Sequence, residues 1–149
     1  MEVIAQKFSL KLVKETNSPY KLNCKVTSPL IAYETFIDIL EIDQQAEEVF
    51  CILTLDVKSK VTGVFEVSRG SINKAIVCPR EVFKRAILNN ACGIILGHNH
   101  PSGDMNASDE DVKITEKLIE AGDIIGIKVV DHIIIGDNKY RSLREEGKI

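Results

Sequence analysis

Tryptophan is absent from this chain of 149 residues, and Phe and Tyr hold the aromatic content at 5%. Neither charge sign dominates: 19 Lys and Arg face 22 Asp and Glu, for a net charge of −3. The first 45 residues carry five basic and six acidic groups, so no basic arm or acidic tail stands apart from the rest. A domain that wraps nucleic acid normally shows a basic stripe with stacking aromatics, and both are missing. No apolar run is long enough to span a bilayer. The opening stretch MEVIAQKFSLKLVKET is interrupted by Gln6, Lys7, Lys11 and Lys14 and does not read as a signal peptide. Cys24, Cys51, Cys78 and Cys92 form no CxxC pair and no zinc-ribbon spacing. Cys51 and Cys92 lie in apolar runs, where a free thiol is expected to be buried as a small hydrophobe. These cysteines fit a reduced, cytoplasmic setting.

What remains is ordinary globular material, 44% hydrophobic and 28% charged, of the size of one domain. Phe8, Leu10 and Leu12 alternate with polar neighbours and read as a half-buried strand. Residues 15–27 give no clear assignment. Ser28-Pro29 predicts a capped helix start, followed at helical spacing by Leu30, Ile31, Tyr33, Ile37 and Leu40. Residues 48–57, EVFCILTLDV, predict a central strand, and 61–68 its hairpin partner. Pro79 opens a second helix to about Asn90, with Val82, Phe83, Ala86 and Ile87 on one face. Gly93 to Leu96 reads as a short buried strand ending at His98. A third helix is expected from Ser108 to Ala121, stopped by Gly122. Residues 127–135 form another strand, with Tyr140 to Leu143 returning as a short one. The order β-α-ββ-α-β-α-ββ predicts an α/β fold, one domain over 1–149 with a mixed β-sheet flanked by helices.

Two of the three histidines, His98 and His100, are two residues apart. At strand spacing both imidazoles point the same way and can converge. Asp111 follows in the first turn of the third helix. Two imidazoles and a carboxylate suit a catalytic zinc, which keeps its fourth position for water. Ser108 and Asp111 also form S-x-x-D, a capping-box variant at a helix start. The two roles are compatible, because Ser108 can cap while Asp111 faces an ion.

The spacing H-x-H-x7-S-x2-D resembles the signature of the JAMM/MPN+ metalloproteases, and the longer string is similar to one branch of it, the bacterial RadC family with its JAB-like domain. The matching pieces run in order over roughly residues 45–145. They are Glu48-Val49-Phe50, Arg69-Gly70-Ser71, CPREVFKRA from Cys78 to Ala86, Asn90-Ala91, HNHPSGD from His98 to Asp104, Ser108 with Asp111, Thr115, and DHIIIG from Asp131 to Gly136. Ala107 stands where a proline is usual, and Met105-Asn106 is atypical; neither position is a ligand. A helix-hairpin-helix region often precedes this domain and is not evident in residues 1–45, which are read as a strand and helix packed on it.

The resemblance implies a JAB/MPN-like, cytidine-deaminase-like architecture and a Zn²⁺ held by His98, His100 and Asp111. It implies a metallopeptidase or isopeptidase that cuts a peptide or isopeptide bond in a protein or peptide substrate. Glu48 would be the general base, with the neighbouring Glu47 ranked second on the opposite strand face. Ser108 would stabilise the oxyanion. Asn99 and Pro101 would shape the loop, and Gly103 would permit its tight path. His132 is left outside the site as a structural histidine. Two other classes compete. The family's historical DNA-repair label suggests an accessory protein of repair or recombination, for which the residues offer little physical support. A degenerate scaffold would have lost ligands, and all three are present here. The letters HNH are not an HNH nuclease motif, and a zinc deaminase would need H-x-E with P-C-x-x-C.

Overall fold

The computed structural model describes residues 25–70 and 77–149, together with the single positions Ser9, Lys11 and Val13. The strand expected around Phe8, Leu10 and Leu12 lies outside the described residues. In chain order come helix α1 (Pro29–Leu40), a 3-10 turn (Ile42–Gln44), strands β1 (Val49–Leu55) and β2 (Val61–Arg69), and helix α2 (Pro79–Leu88). Strand β3 (Gly93–Asn99), helix α3 (Asp109–Ile125) and strands β4 (Lys128–Gly136) and β5 (Lys139–Ser142) follow. The five strands form one sheet in the order β2-β1-β3-β4-β5. Among the described residues only β3 and β4 run parallel, joined through α3; the other three pairings are antiparallel, so the sheet is mixed, as expected.

Strand alternation sends successive side chains to opposite faces. On one face Val49, Cys51, Leu53, Leu55, Ile95, Ile133 and Ile135 pack with Ala32 and Phe36 of α1. On the other, Phe50, Ile52, Ile94, Leu96 and Val129 pack with Val82, Phe83 and Ala86 of α2 and with Ile114 and Leu118 of α3. The sheet is therefore buried between helices on both sides, which is why β1 and β3 are buried at every position. The Phe36 ring lies so close to β3 that a Cβ on Gly97 would come within 2.7 Å of it.

Several sequence expectations need correction. The helix begun at Ser108 does not stop at Gly122. It continues to Ile125, and Gly126 is the left-handed cap with φ 83°. Gly122 is buried within the helix and accepts the N–H of Gly126. Cys92 is exposed, because it sits in the turn before β3; Cys51 is buried as expected. Ile87, placed on one face of its helix with Val82, Phe83 and Ala86, is 52% exposed, and Leu30 in α1 is 45% exposed. In α1 the buried positions are instead Ala32 and Phe36, four residues apart on one face. Strand β3 runs on to Asn99, so His98 lies inside the sheet rather than at its end.

Candidate metal centre

Strand β3 carries Ile94, Leu96 and His98 on the face that meets α3. His98 is completely buried, and His100 follows just past the strand end. The backbone of His100 is held by the bond from its N–H to the Ile135 carbonyl at 2.9 Å. Opposite, Asp111 enters from the first turn of α3. Its position is set by a reciprocal capping box: the Ser108 amide donates to Asp111 Oδ2 at 2.8 Å, and the Asp111 amide donates to Ser108 Oγ at 3.1 Å. The cap and the proposed ligand are one arrangement, because the cap orients the carboxylate.

The structure brings the three predicted ligands together. His98 Nε2 lies 2.8 Å from His100 Nε2 and 3.4 Å from Asp111 Oδ1, and His100 Nε2 lies 3.6 Å from Asp111 Oδ2. All the ligand atoms fall within 4.8 Å of one another. His100 Nδ1 donates to the Asp104 carbonyl at 2.5 Å, so its Nε2 is left as the ring nitrogen facing the cluster. That bond is supplied by the loop of residues 100–107, where Gly103 takes φ 80° as its tight path requires. Two imidazole nitrogens and a carboxylate converging without an intervening donor side chain are the donor set a divalent cation satisfies, and these residues fit one.

The electrostatics agree. Burial pushes His98 down to about 4, against the pull of Asp111. Burial likewise holds His132 well below the usual histidine value. His100 is raised, first by its contact with Asp111 and also by the negative charge of Glu48. Burial would raise the Asp111 carboxyl, but His100, His98 and Ser108 together outweigh it and keep the carboxylate below its ordinary range. The deeper histidine is thus neutral, and the carboxylate is charged, at neutral pH.

Glu48 lies immediately before β1, half-buried, while Glu47 is exposed. Phe50 pairs with His98 across the antiparallel β1–β3 ladder, so continuing the register by two residues brings Glu48 alongside His100. The segment is fastened there by Asn99. Its Oδ1 accepts the Val49 amide at 2.6 Å, and its Nδ2 donates to the Glu47 carbonyl at 3.0 Å and the Gln45 carbonyl at 3.3 Å. Asn99 was expected only to shape the loop; it ties the Glu48 segment to the histidine strand. Ser108 is exposed at the helix start. Beside His100 opens a cleft of about 600 Å³ whose walls include Asp43, Gln44, Ser102, Met105 and Lys139.

Sequence reasoning left two residues outside the site that the structure joins to it. His132 Nε2 is 2.8 Å from His98 Nδ1, and His132 Nδ1 is 2.6 Å from Thr115 Oγ1. Thr115 was visible in sequence, four residues after Asp111 and so on the same helix face. His132 reaches this face through a β-bulge. Ile94 pairs with Val129 but Ile95 with Asp131, leaving Val130 as an extra residue. The insertion reverses the parity of β4, so that Val129 and His132 both face α3.

Fold and cluster together define a single α/β domain with a three-residue group that could hold a metal ion near the carboxyl ends of its parallel strands. The chain belongs to the RadC-like JAB domain family, which it matches over residues 26–148. It is 50% identical over 127 residues to a UPF0758 protein of Caldanaerobacter subterraneus subsp. tengcongensis, a match covering 84% of this chain and 53% of that protein. It is 46% identical over 125 residues to a UPF0758 protein of Clostridium beijerinckii, covering 84% and 54%. A UPF0758 protein of Alkaliphilus oremlandii is 57% identical over 103 residues, covering 69% and 44%. The chain spans about half the length of the curated relatives it matches.

Proposed function

We propose that this domain is a zinc-dependent metallopeptidase or isopeptidase of the JAMM type, with His98, His100 and Asp111 as the ligands. The observation that carries the reading is the convergence of these three side chains, with both histidine Nε2 atoms turned inward. Two nitrogens and one oxygen suit zinc and leave a coordination position open. A zinc ion there would supply Lewis acidity, polarising a substrate carbonyl and lowering the pKa of water from 15.7 toward about 7.

The chain's own residues supply the rest. Glu48, held beside His100 by the Asn99 bonds, takes a proton from the attacking water and passes it to the leaving amine. Ser108 presents its hydroxyl at the exposed start of α3, where it can donate to an oxyanion while its lone pair still caps the helix. Asp111 keeps its charge because the Ser108 amide and the histidines favour the ionised form. Of the proposed ligands and catalytic residues, only His100 lines the neighbouring cleft. The test is a peptide and isopeptide library incubated with zinc-loaded protein, with a chelator control. Chelator-sensitive cleavage is the expected result. Stoichiometric zinc without cleavage of any amide or isopeptide bond would turn the reading toward a metal-stabilised binding domain.

A further inference from the structure

We propose that Thr115 and His132 are positioning residues that select the tautomer of His98, so that a helix hydroxyl two hydrogen bonds away from His98 decides whether its Nε2 is free to bind a metal. The inference rests on the ligand assignment above. Thr115, His132 and His98 are all completely buried, so water does not enter the reckoning.

The direction of each bond follows from counting protons. Thr115 Oγ1 lies 2.6 Å from the Asp111 backbone carbonyl, which can only accept. The hydroxyl has one proton, and this bond uses it. At 2.6 Å from His132 Nδ1 the same oxygen therefore accepts, and Nδ1 carries hydrogen. A neutral imidazole has one N–H, so His132 Nε2 is a lone pair. It faces His98 Nδ1 at 2.8 Å, and that atom must then donate. His98 Nε2 is consequently bare and turned toward Asp111 and toward His100 Nε2 at 2.8 Å, a contact between two lone pairs that a cation between them would satisfy. The series begins at the backbone of one proposed ligand, Asp111, and ends at the ring of another.

The opposite polarity is also physically complete. If the Thr115 hydroxyl turned to donate to His132 Nδ1, both rings would switch to the Nε2–H tautomer and His98 Nε2 would carry hydrogen. That hydrogen would point into the cluster and block coordination. Donation from Thr115 to the Asp111 carbonyl favours the metal-competent polarity, and the orienting partner of a ligand histidine typically contributes about 10–100-fold to metal affinity.

Zinc affinity is measured by competition with a chromophoric chelator in the unaltered protein, Thr115→Val and Thr115→Ser, with circular dichroism to verify folding. Valine keeps the shape and removes the hydroxyl; serine restores it. We expect Thr115→Val to bind zinc about 10–100-fold more weakly and Thr115→Ser to recover the original affinity. Nitrogen chemical shifts of the histidine rings, read in the unaltered zinc-loaded protein, should show His132 protonated at Nδ1 and not at Nε2. A His132 found protonated at Nε2, or a folded Thr115→Val with unchanged zinc affinity, would overturn this inference and leave the proposed function standing. Failure of the unaltered protein to bind zinc would overturn the ligand assignment and this inference with it.

Discussion

The two faces of the sheet are built from the same strands and do different work. The face under α1 is an apolar core of Phe36, Ile42, Cys51, Leu53, Ile133 and their neighbours. The face under α2 and α3 begins the same way, with Phe50, Ile52, Ile94 and Leu96, and then changes character toward the carboxyl end of β3. There His98 and His132 are buried with Thr115 and Asp111. Burying polar groups without partners costs roughly 1–3 kcal/mol each, so such a patch persists only where its hydrogen bonds are complete. Here His98 Nδ1, His132 and Thr115 are linked by hydrogen bonds and Asp111 bonds to the cap, which leaves the histidine Nε2 atoms turned toward the cluster as the groups a cation would satisfy. One face is filled by apolar packing, and the other brings the three candidate donors together. The carboxyl ends of parallel strands are where open α/β sheets commonly bind ligands, and β3 and β4 are the parallel pair among the described residues.

Substitutions should separate the two faces. The largest effect is expected from His100→Ala, which removes one of three ligands and should lose most of the bound zinc together with any hydrolysis. Elemental analysis of the purified variant checks this, and stoichiometric zinc retained in the same site would contradict the ligand assignment. Phe36→Ala, on the opposite face, should cost roughly 3–5 kcal/mol of stability by chemical denaturation. The remaining folded protein should still take up zinc, because Phe36 belongs to the α1-side core. Glu48→Gln should lower hydrolysis about 10²–10⁴-fold at unchanged zinc content, since an amide cannot accept the proton. Full activity in that variant would move the base to Glu47.

Acid should act through the α3 face. His98, with its folded value near 4, and His132, also depressed, are less protonated when folded than when unfolded. Their contribution to stability is complete above the unfolded value near 6.5 and is lost as the pH falls through their depressed folded values. His100 has a raised value and runs the other way, contributing below about 6.5 and fading as the pH rises through its folded value. In metal-free protein, melting temperature should therefore fall between pH 6.5 and 4, and His132→Leu should flatten that decline. A decline of equal steepness in the variant would remove His132 from the account. The smallest expected effect is Ser108→Ala, about 1 kcal/mol in stability from the lost cap. If its activity falls no further than its stability, Ser108 is a cap alone.

Elements legible in the chain were those whose evidence is local. The capped start at Ser28-Pro29, the apolar run of β1, and the S-x-x-D box at Ser108 each depend on residues a few positions apart. So does the spacing of His98 and His100, which is why the candidate donor group is legible in the chain itself. What misled was also local. Gly122 looks like a helix stop, but the helix passes through it to Gly126, and Cys92 shares an apolar run without sharing its burial. Neither turn geometry nor the neighbouring strand can be read from a run of residue types.

Sequence alone thus picked out His98, His100 and Asp111, which the fold brings together, and the helix cap, because imidazole and carboxylate chemistry and i, i+3 reciprocity are properties of short segments. Only the tertiary structure decided that His132 belongs beside His98 and that Asn99 fastens the segment bearing Glu48. The first depends on a single extra residue in β4 that reverses strand parity, and the second on register between strands about fifty positions apart. Both are settled by pairing between distant strands, where a shift of one residue turns every following side chain to the other face.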